Sequence, residues 1–110
     1  MWLNMSKKLS VSEMTEMQAH ASDAAQLLKK MANEKRLLIL CTLVKGELSV
    51  GELNEVIPLS QSALSQHLTS LRTAGLVKTR RESQVIFYSL EGDAAIKIIS
   101  VLQSIYCPDL

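Results

Sequence analysis

LSQSALSQHLTSLRTAGL, residues 59–76, carries the start, the two faces and the stop of one helix. Ser60 suits an N-cap, because its hydroxyl can accept from the unpaired amides of the first turn, and Leu59 and Leu64 stand at the two positions of a hydrophobic staple. Leu64, Leu68 and Leu71 then share one face at helical spacing, while Ser62, Ser65, Gln66 and Thr69 share the other. Gly75 can close the helix in a left-handed conformation. The outer face is short, polar and almost uncharged, whereas a solvated helix face ordinarily carries Lys and Glu. Short hydroxyls and amides are what a helix entering the DNA major groove needs: Gln can pair with adenine, and Ser or Thr can reach base edges or phosphate oxygens. Taken alone, the helix is equally compatible with a polar surface helix.

Its neighbours narrow the choice. In LSVGELNEVIPLS, Ser49 and Glu52 form a capping box, Leu48 and Leu53 a staple, and Pro58 ends the helix just before the next one opens at Ser60. A short capped helix followed at once by a polar-faced one predicts a helix-turn-helix. After Gly75 the apolar period changes from helical to alternating. Leu76 to Arg81 and Val85 to Tyr88, separated by Glu82, Ser83 and Gln84, predict a β-hairpin. Arg80 and Arg81 end its rising strand, where a wing would reach a flanking phosphate or the minor groove; a solvated charged tip is the plainer alternative.

Further outward, Asn33 opens NEKRLLILCTLVKG, a helix apolar nearly all round and therefore expected at the centre, with neighbours on several sides. Ser10 and Glu13 form a capping box ahead of apolar positions from Met14 to Met31, so one or two helices fill residues 11–32, with Ser22 or Asp23 able to cap a break. Residues 1–9 are expected to be a flexible tail, and 10–110 a single domain. Gly92 to Tyr106 predicts a last helix whose apolar arc is wider than one side of a small domain can cover. That implies a homodimer, and two-fold symmetry suits a pair of recognition helices reading an inverted repeat in successive major grooves, about 34 Å apart.

Composition bounds these readings. A chain of 110 residues has room for one core, and 47% hydrophobic residues with only 4% aromatic imply Leu, Ile and Ala packing between helices. The net charge of +1 excludes a nonspecific polycation, but cations gather at Lys29, Lys30, Lys35 and Arg36, and again at Arg72, Lys78, Arg80 and Arg81. The longest apolar run, Leu37 to Val44, falls far short of the roughly 20 residues of a membrane span, and nothing at the start resembles a secretory signal, so a cytoplasmic protein is expected. Cys41 and Cys107 are too few for a disulfide framework or a four-ligand zinc site. A thiol oxidoreductase would need a CxxC or an activating His beside a cysteine; neither is present, nor is any cofactor-binding motif, so an enzyme is not expected.

In this order of elements, MANEKRLLIL, ELSVGEL, LSQSALSQHLTSLRTAGLV and TRRESQVIFYSL resemble four blocks of the ArsR/SmtB family of bacterial winged-helix repressors over nearly the whole chain. The resemblance implies a mainly α winged helix-turn-helix with a β-hairpin wing, dimerised through its N- and C-terminal helices, that represses transcription until an inducer binds. It places DNA contacts at Gln61, Ser62, Ser65, Gln66 and His67, with Arg80 and Arg81 in the wing. His67, at the margin between the two faces, could instead orient the helix by bonding a backbone carbonyl.

Departures from the family are informative. Its metal sensors carry cysteines in the segment matching ELSVGEL, where Ser49 and Gly51 offer no thiolate, and the last helix holds no histidine for the family's other zinc site. His20 stands alone in an N-terminal helix as a surface residue, so no metal is expected. Cys41 and Cys107 match the dithiol pair of the SqrR/BigR/HlyU-like branch, which senses reactive sulfur or oxidants. A thiolate attacks sulfane sulfur to give a persulfide, and a second thiol resolves it into a bridge. The alternative is a regulator with structural cysteines, Cys41 a buried small hydrophobe and Cys107 a spare thiol, responding to another ligand or acting constitutively.

Overall fold

The computed structural model describes residues 8–109, which divide into two compact units, one running to Lys30 and one beginning at Met31. Helix α1 (Val11–Met31) makes up most of the first. The Ser10 backbone N–H donates to Glu13 Oε1 at 3.1 Å and the Glu13 N–H to Ser10 Oγ at 3.2 Å, the reciprocal pair read from the sequence. These bonds hold the Glu13 carboxyl below the usual carboxylate range. Of the two alternatives for residues 11–32, the helix is single: Ser22 and Asp23 lie inside it. No Gly or Pro interrupts this Ala-rich stretch, and a Ser or Asp caps only where the backbone has already left the helix. Lys8 and Leu9 have no regular structure; the rest of the expected tail, residues 1–7, lies outside the described residues.

The second unit runs α2 (Glu34–Leu43), β1 (Leu48–Ser49), α3 (Val50–Val56), α4 (Gln61–Thr73), β2 (Val77–Glu82), β3 (Val85–Leu90) and α5 (Ala94–Tyr106). This is the winged helix-turn-helix expected from the sequence. Asn33 caps α2 by accepting from the amides of Lys35 and Arg36, the Ser49–Glu52 capping box opens α3, and Ser60 caps α4 by accepting from Ala63 N at 3.2 Å. Gly75 takes φ +77 at the end of α4, a conformation a Cβ would strain.

The core draws on four helices. Ile39, Leu40 and Leu43 of α2 are buried with Leu64, Leu68 and Leu71 of α4 and Ala95 and Ile99 of α5, and Leu53 of α3 joins them. α2 has neighbours on several sides, as expected, in α4, α5 and β3, but one side stays open. Leu38 is 38% exposed and Cys41 is half-buried, on a side that opens to a groove. α5 does leave its apolar arc uncovered, with Val101, Ile105 and Tyr106 between 59% and 77% exposed. Among the described residues no helix is long and apolar enough to cross a membrane.

The hairpin is part of a three-stranded antiparallel sheet, ordered β1-β3-β2. β2 pairs with β3 from Val77↔Leu90 to Glu82↔Val85, and β1 adds the pairs Leu48↔Tyr88 and Ser49↔Phe87. The strand at Leu48–Ser49 has no counterpart in the sequence reading, because two residues are too short to show alternation and their partners lie far along the chain. Ser83 turns the hairpin with φ +59.

Replacing Leu68, fully buried, with Ala is expected to cost about 2–5 kcal/mol. Ser49→Ala, which opens the α3 capping box, is expected to cost about 1 kcal/mol. Urea denaturation with an unchanged slope checks both.

Candidate DNA-binding surface and thiol pair

The leucine stripe of α4 is buried, so the opposite face is necessarily outward. Gln61, Ser62, Ser65, Gln66 and Thr69 are all exposed. Ser65, Gln66, Thr69 and Ser70 line a shallow concavity along this face. His67 is half-buried at the margin, and among the described residues no backbone carbonyl accepts from its ring. Ser62, Ser65, Gln66 and Thr69 follow one another at i, i+3, i+4 and i+7, forming a row of donors and acceptors with no charge to repel or mask a base edge.

The wing stands beside this row. Ser65 of α4 lines a groove of about 470 Å³ together with Ile86 and Tyr88 of β3 and with Ser49 and Gly51. Strand alternation and cross-strand register then sort the two wing arginines. Arg81 pairs with Ile86 and Thr79 with Tyr88, so Arg81 shares the sheet face that borders the groove. Arg80 pairs with Phe87 and lies on the opposite face.

The two residues also differ electrostatically. Arg80 Nε donates to both carboxylate oxygens of Glu47 at 3.1 Å, its Nη1 donates to Glu82 Oε2 at 2.7 Å, and its guanidinium stacks 4.6 Å from the centroid of the Phe87 ring. Glu47 thereby holds the Arg80 pKa above its ordinary value, and Arg80 holds the Glu47 carboxyl below the usual range. Arg81 is exposed and, among the described residues, has no such partner. Glu47 escaped sequence analysis because its partner is 33 residues away and no local pattern links them.

The second cluster lies at α2 and the end of α5. Cys41 lines a groove of about 370 Å³ together with Leu38, Lys45, Ile57 and Gln103. Cys107 follows α5, its N–H donating to the Gln103 carbonyl at 2.7 Å, and is exposed. Both thiols are free, and burial, with a smaller contribution from the negative charge Cys107 would carry, pushes the Cys41 thiol up from its ordinary pKa. Gln103 is common to both surroundings, lining the groove with Cys41 and accepting the Cys107 N–H. Among the described residues no three His, Cys, Asp or Glu side chains come together as a metal site would require.

A capped helix-turn-helix with an uncharged polar recognition face, flanked by a wing that turns one arginine toward it, defines a winged-helix DNA-binding regulator. The chain belongs to the arsR family of bacterial regulatory proteins, whose model matches residues 33–79, and within it to the HlyU/BigR branch. It is 53% identical over 92 residues to the transcriptional activator HlyU of Vibrio cholerae, covering 84% of this chain and 85% of that protein. To the biofilm growth-associated repressor of Agrobacterium fabrum it is 44% identical over 105 residues, covering 94% and 90%. The structure of reduced HlyU from V. cholerae superposes with a TM-score of 0.80 at 53% identity, covering 84% of this chain and 97% of that one. These relatives are regulators of transcription, not enzymes.

The thiol geometry makes a pH prediction. With its pKa raised, Cys41 is protonated at neutral pH and gains reactivity only as pH climbs past the ordinary thiol range near 9.0. Alkylation of Cys41 followed by peptide mapping is expected to lag behind a free thiol at pH 8. In Cys107→Ser the midpoint is expected to move down, because the neighbouring charge is gone.

Proposed function

We propose that the protein is a cytoplasmic, homodimeric regulator that binds an inverted-repeat operator and leaves it when Cys41 and Cys107 become linked. In this reading Gln61, Ser62, Ser65, Gln66 and His67 meet base edges and phosphates, and Arg81 meets the backbone beside the wing; Arg80, expected from the sequence to join it there, is left out because its guanidinium is engaged by Glu47, Glu82 and Phe87. The exposed apolar residues of α5, and on α1 those at Val11, Met14 and Leu28, support dimerisation through the terminal helices. Residues 10–110 then act as one DNA-binding and dimerisation domain. The observation that carries the reading is that Gln103 of α5 both lines the groove of Cys41 and accepts the N–H of Cys107, which brings together the surroundings of two cysteines far apart in the chain.

The inducer is a sulfane-sulfur compound or a disulfide-forming oxidant. Exposed Cys107 is the first nucleophile, since Cys41 is half-buried and protonated. With trisulfane, HSSSH, the Cys107 thiolate attacks the central sulfur and expels one hydrosulfide. The Cys41 thiolate then attacks that same sulfur and expels the second, leaving Cys41–S–S–S–Cys107. Two thiols and one trisulfane become one trisulfide bridge and two molecules of hydrogen sulfide, so sulfur supplies the oxidising equivalents. A small disulfide would instead give a direct bridge and two small thiols.

The linkage ties α2, which supports the helix-turn-helix, to α5, which would form the dimer. That biases the dimer toward half-site spacings that fit DNA less well. The half-burial of Cys41 favours a second reading, in which it is only a packing residue and the regulator answers another ligand or none.

Intact mass with peptide mapping after separate exposure to polysulfide, a disulfide oxidant and peroxide is expected to show a Cys41–Cys107 crosslink and loss of operator binding. Cys41→Ser is expected to bind the operator with unchanged affinity and no longer respond. If no reagent joins the two cysteines, the switch is wrong and the second reading replaces it. Light scattering at micromolar concentration is expected to give twice the chain mass, and Gln66→Ala is expected to cost about 1–3 kcal/mol of operator binding while flattening the preference at one base position.

A further inference from the structure

The arginine on the far face of the wing is exposed but held by its own chain. Glu47 grips Arg80 through both carboxylate oxygens, Glu82 takes a second edge of the guanidinium, and Phe87 lies against its plane. A planar fork gripped on three sides has one orientation, unlike a flexible surface lysine. Two carboxylates also outweigh its single charge. Arg80 itself is thereby turned to its own chain and away from a phosphate.

Glu47 belongs to the turn that leaves α2, six residues beyond Cys41. The turn is short and internally bonded: Val44 N–H donates to the Cys41 carbonyl at 3.3 Å, and Gly46 N–H to the Leu43 carbonyl at 3.1 Å. Gly46, at φ +145, then swings the chain into β1. β1 lies against β3 through Ser49↔Phe87, and Phe87 is in turn the register partner of Arg80. A displacement of the last turn of α2 therefore reaches Glu47 with only a short turn to absorb it, and Glu47 holds the wing.

We propose that Glu47 and Arg80 are positioning residues, a clamp that makes the wing follow α2, so that linking Cys41 to Cys107 shifts Arg81 from its place on DNA. This rests on the thiol switch proposed above and adds the residues that carry it to the wing. Neither residue touches DNA.

The test compares wild type, Glu47→Ala, Arg80→Gln and the double variant, each reduced and each fully linked as fixed by intact mass. The readout is the operator Kd of the linked form divided by that of the reduced form. Within one variant this ratio cancels any uniform effect of changed charge on DNA binding. A wild-type ratio of about tenfold or more is expected to fall to about threefold or less in each single variant. The double variant is expected to match the singles, because either removal opens the same clamp.

Unchanged ratios in the variants, with wild type released normally, would overturn the clamp and leave the thiol switch standing. A linked wild type that binds as tightly as the reduced form overturns the switch and the clamp together. Salt dependence gives an independent check. Arg81→Gln is expected to flatten the slope of log affinity against log salt by about 0.9 per protomer, the loss of one phosphate contact, and Arg80→Gln to leave it unchanged. An equal flattening by Arg80→Gln puts Arg80 on a phosphate and also overturns the clamp.

Discussion

The packing of Leu64, Leu68 and Leu71 is the constraint on which the surface of this protein depends. All three are fully buried, at i, i+4 and i+7 of one helix, in a core they share with Ile39, Leu40 and Leu43 of α2. A rotation of α4 by one residue would bury Ser65 or Ser62 against that core and expose a leucine. Each unsatisfied hydroxyl would cost about 1–3 kcal/mol and each leucine left in water a similar amount, so the orientation is strongly fixed. The recognition face is thus set from behind, by apolar contacts. Its own residues are left free to answer to DNA.

The wing applies the same logic with charge. Alternation along β2 sends neighbouring arginines to opposite faces, so two residues of one type, adjacent in sequence, meet different environments. Arg81 reaches the groove side open, whereas Arg80 is neutralised by Glu47 and Glu82 and stacked on Phe87. An exposed ion pair of this kind adds little to global stability, because solvent screens it. Its consequence is geometric: it joins the hairpin to the turn after α2, which the β2–β3 pairing alone would not do.

The two thiols are held under unlike conditions. Cys41 sits in a partly apolar groove that disfavours its anion, and Cys107 stands in solvent beyond the last turn of α5. In the proposed linking reaction that asymmetry sets an order, with the exposed sulfur meeting the reagent and the half-buried one closing the bridge. Placing one thiol on the helix beneath the DNA-reading unit and the other beside the exposed apolar arc of α5 connects the two surfaces a dimeric regulator would use.

Much of the fold was legible in the sequence because its signals are local. Capping boxes at Ser10 and Ser49, caps at Asn33 and Ser60, the stop at Gly75 and the change of period after it each depend on residues within a turn or two, and each appears in the structure. The polar face of α4 was equally legible, since helical spacing alone places its residues together. The resemblance to a known family, not periodicity, pointed to Cys41 and Cys107 as a pair. Only the tertiary structure decided that residues 11–31 form one helix, that Leu48–Ser49 extends the wing into three strands, that α2 keeps an open side, and that Arg80 belongs to Glu47 while Arg81 faces the groove. Most of these depend on contacts between residues far apart in the chain. No local pattern encodes such a contact until the core has brought its partners together.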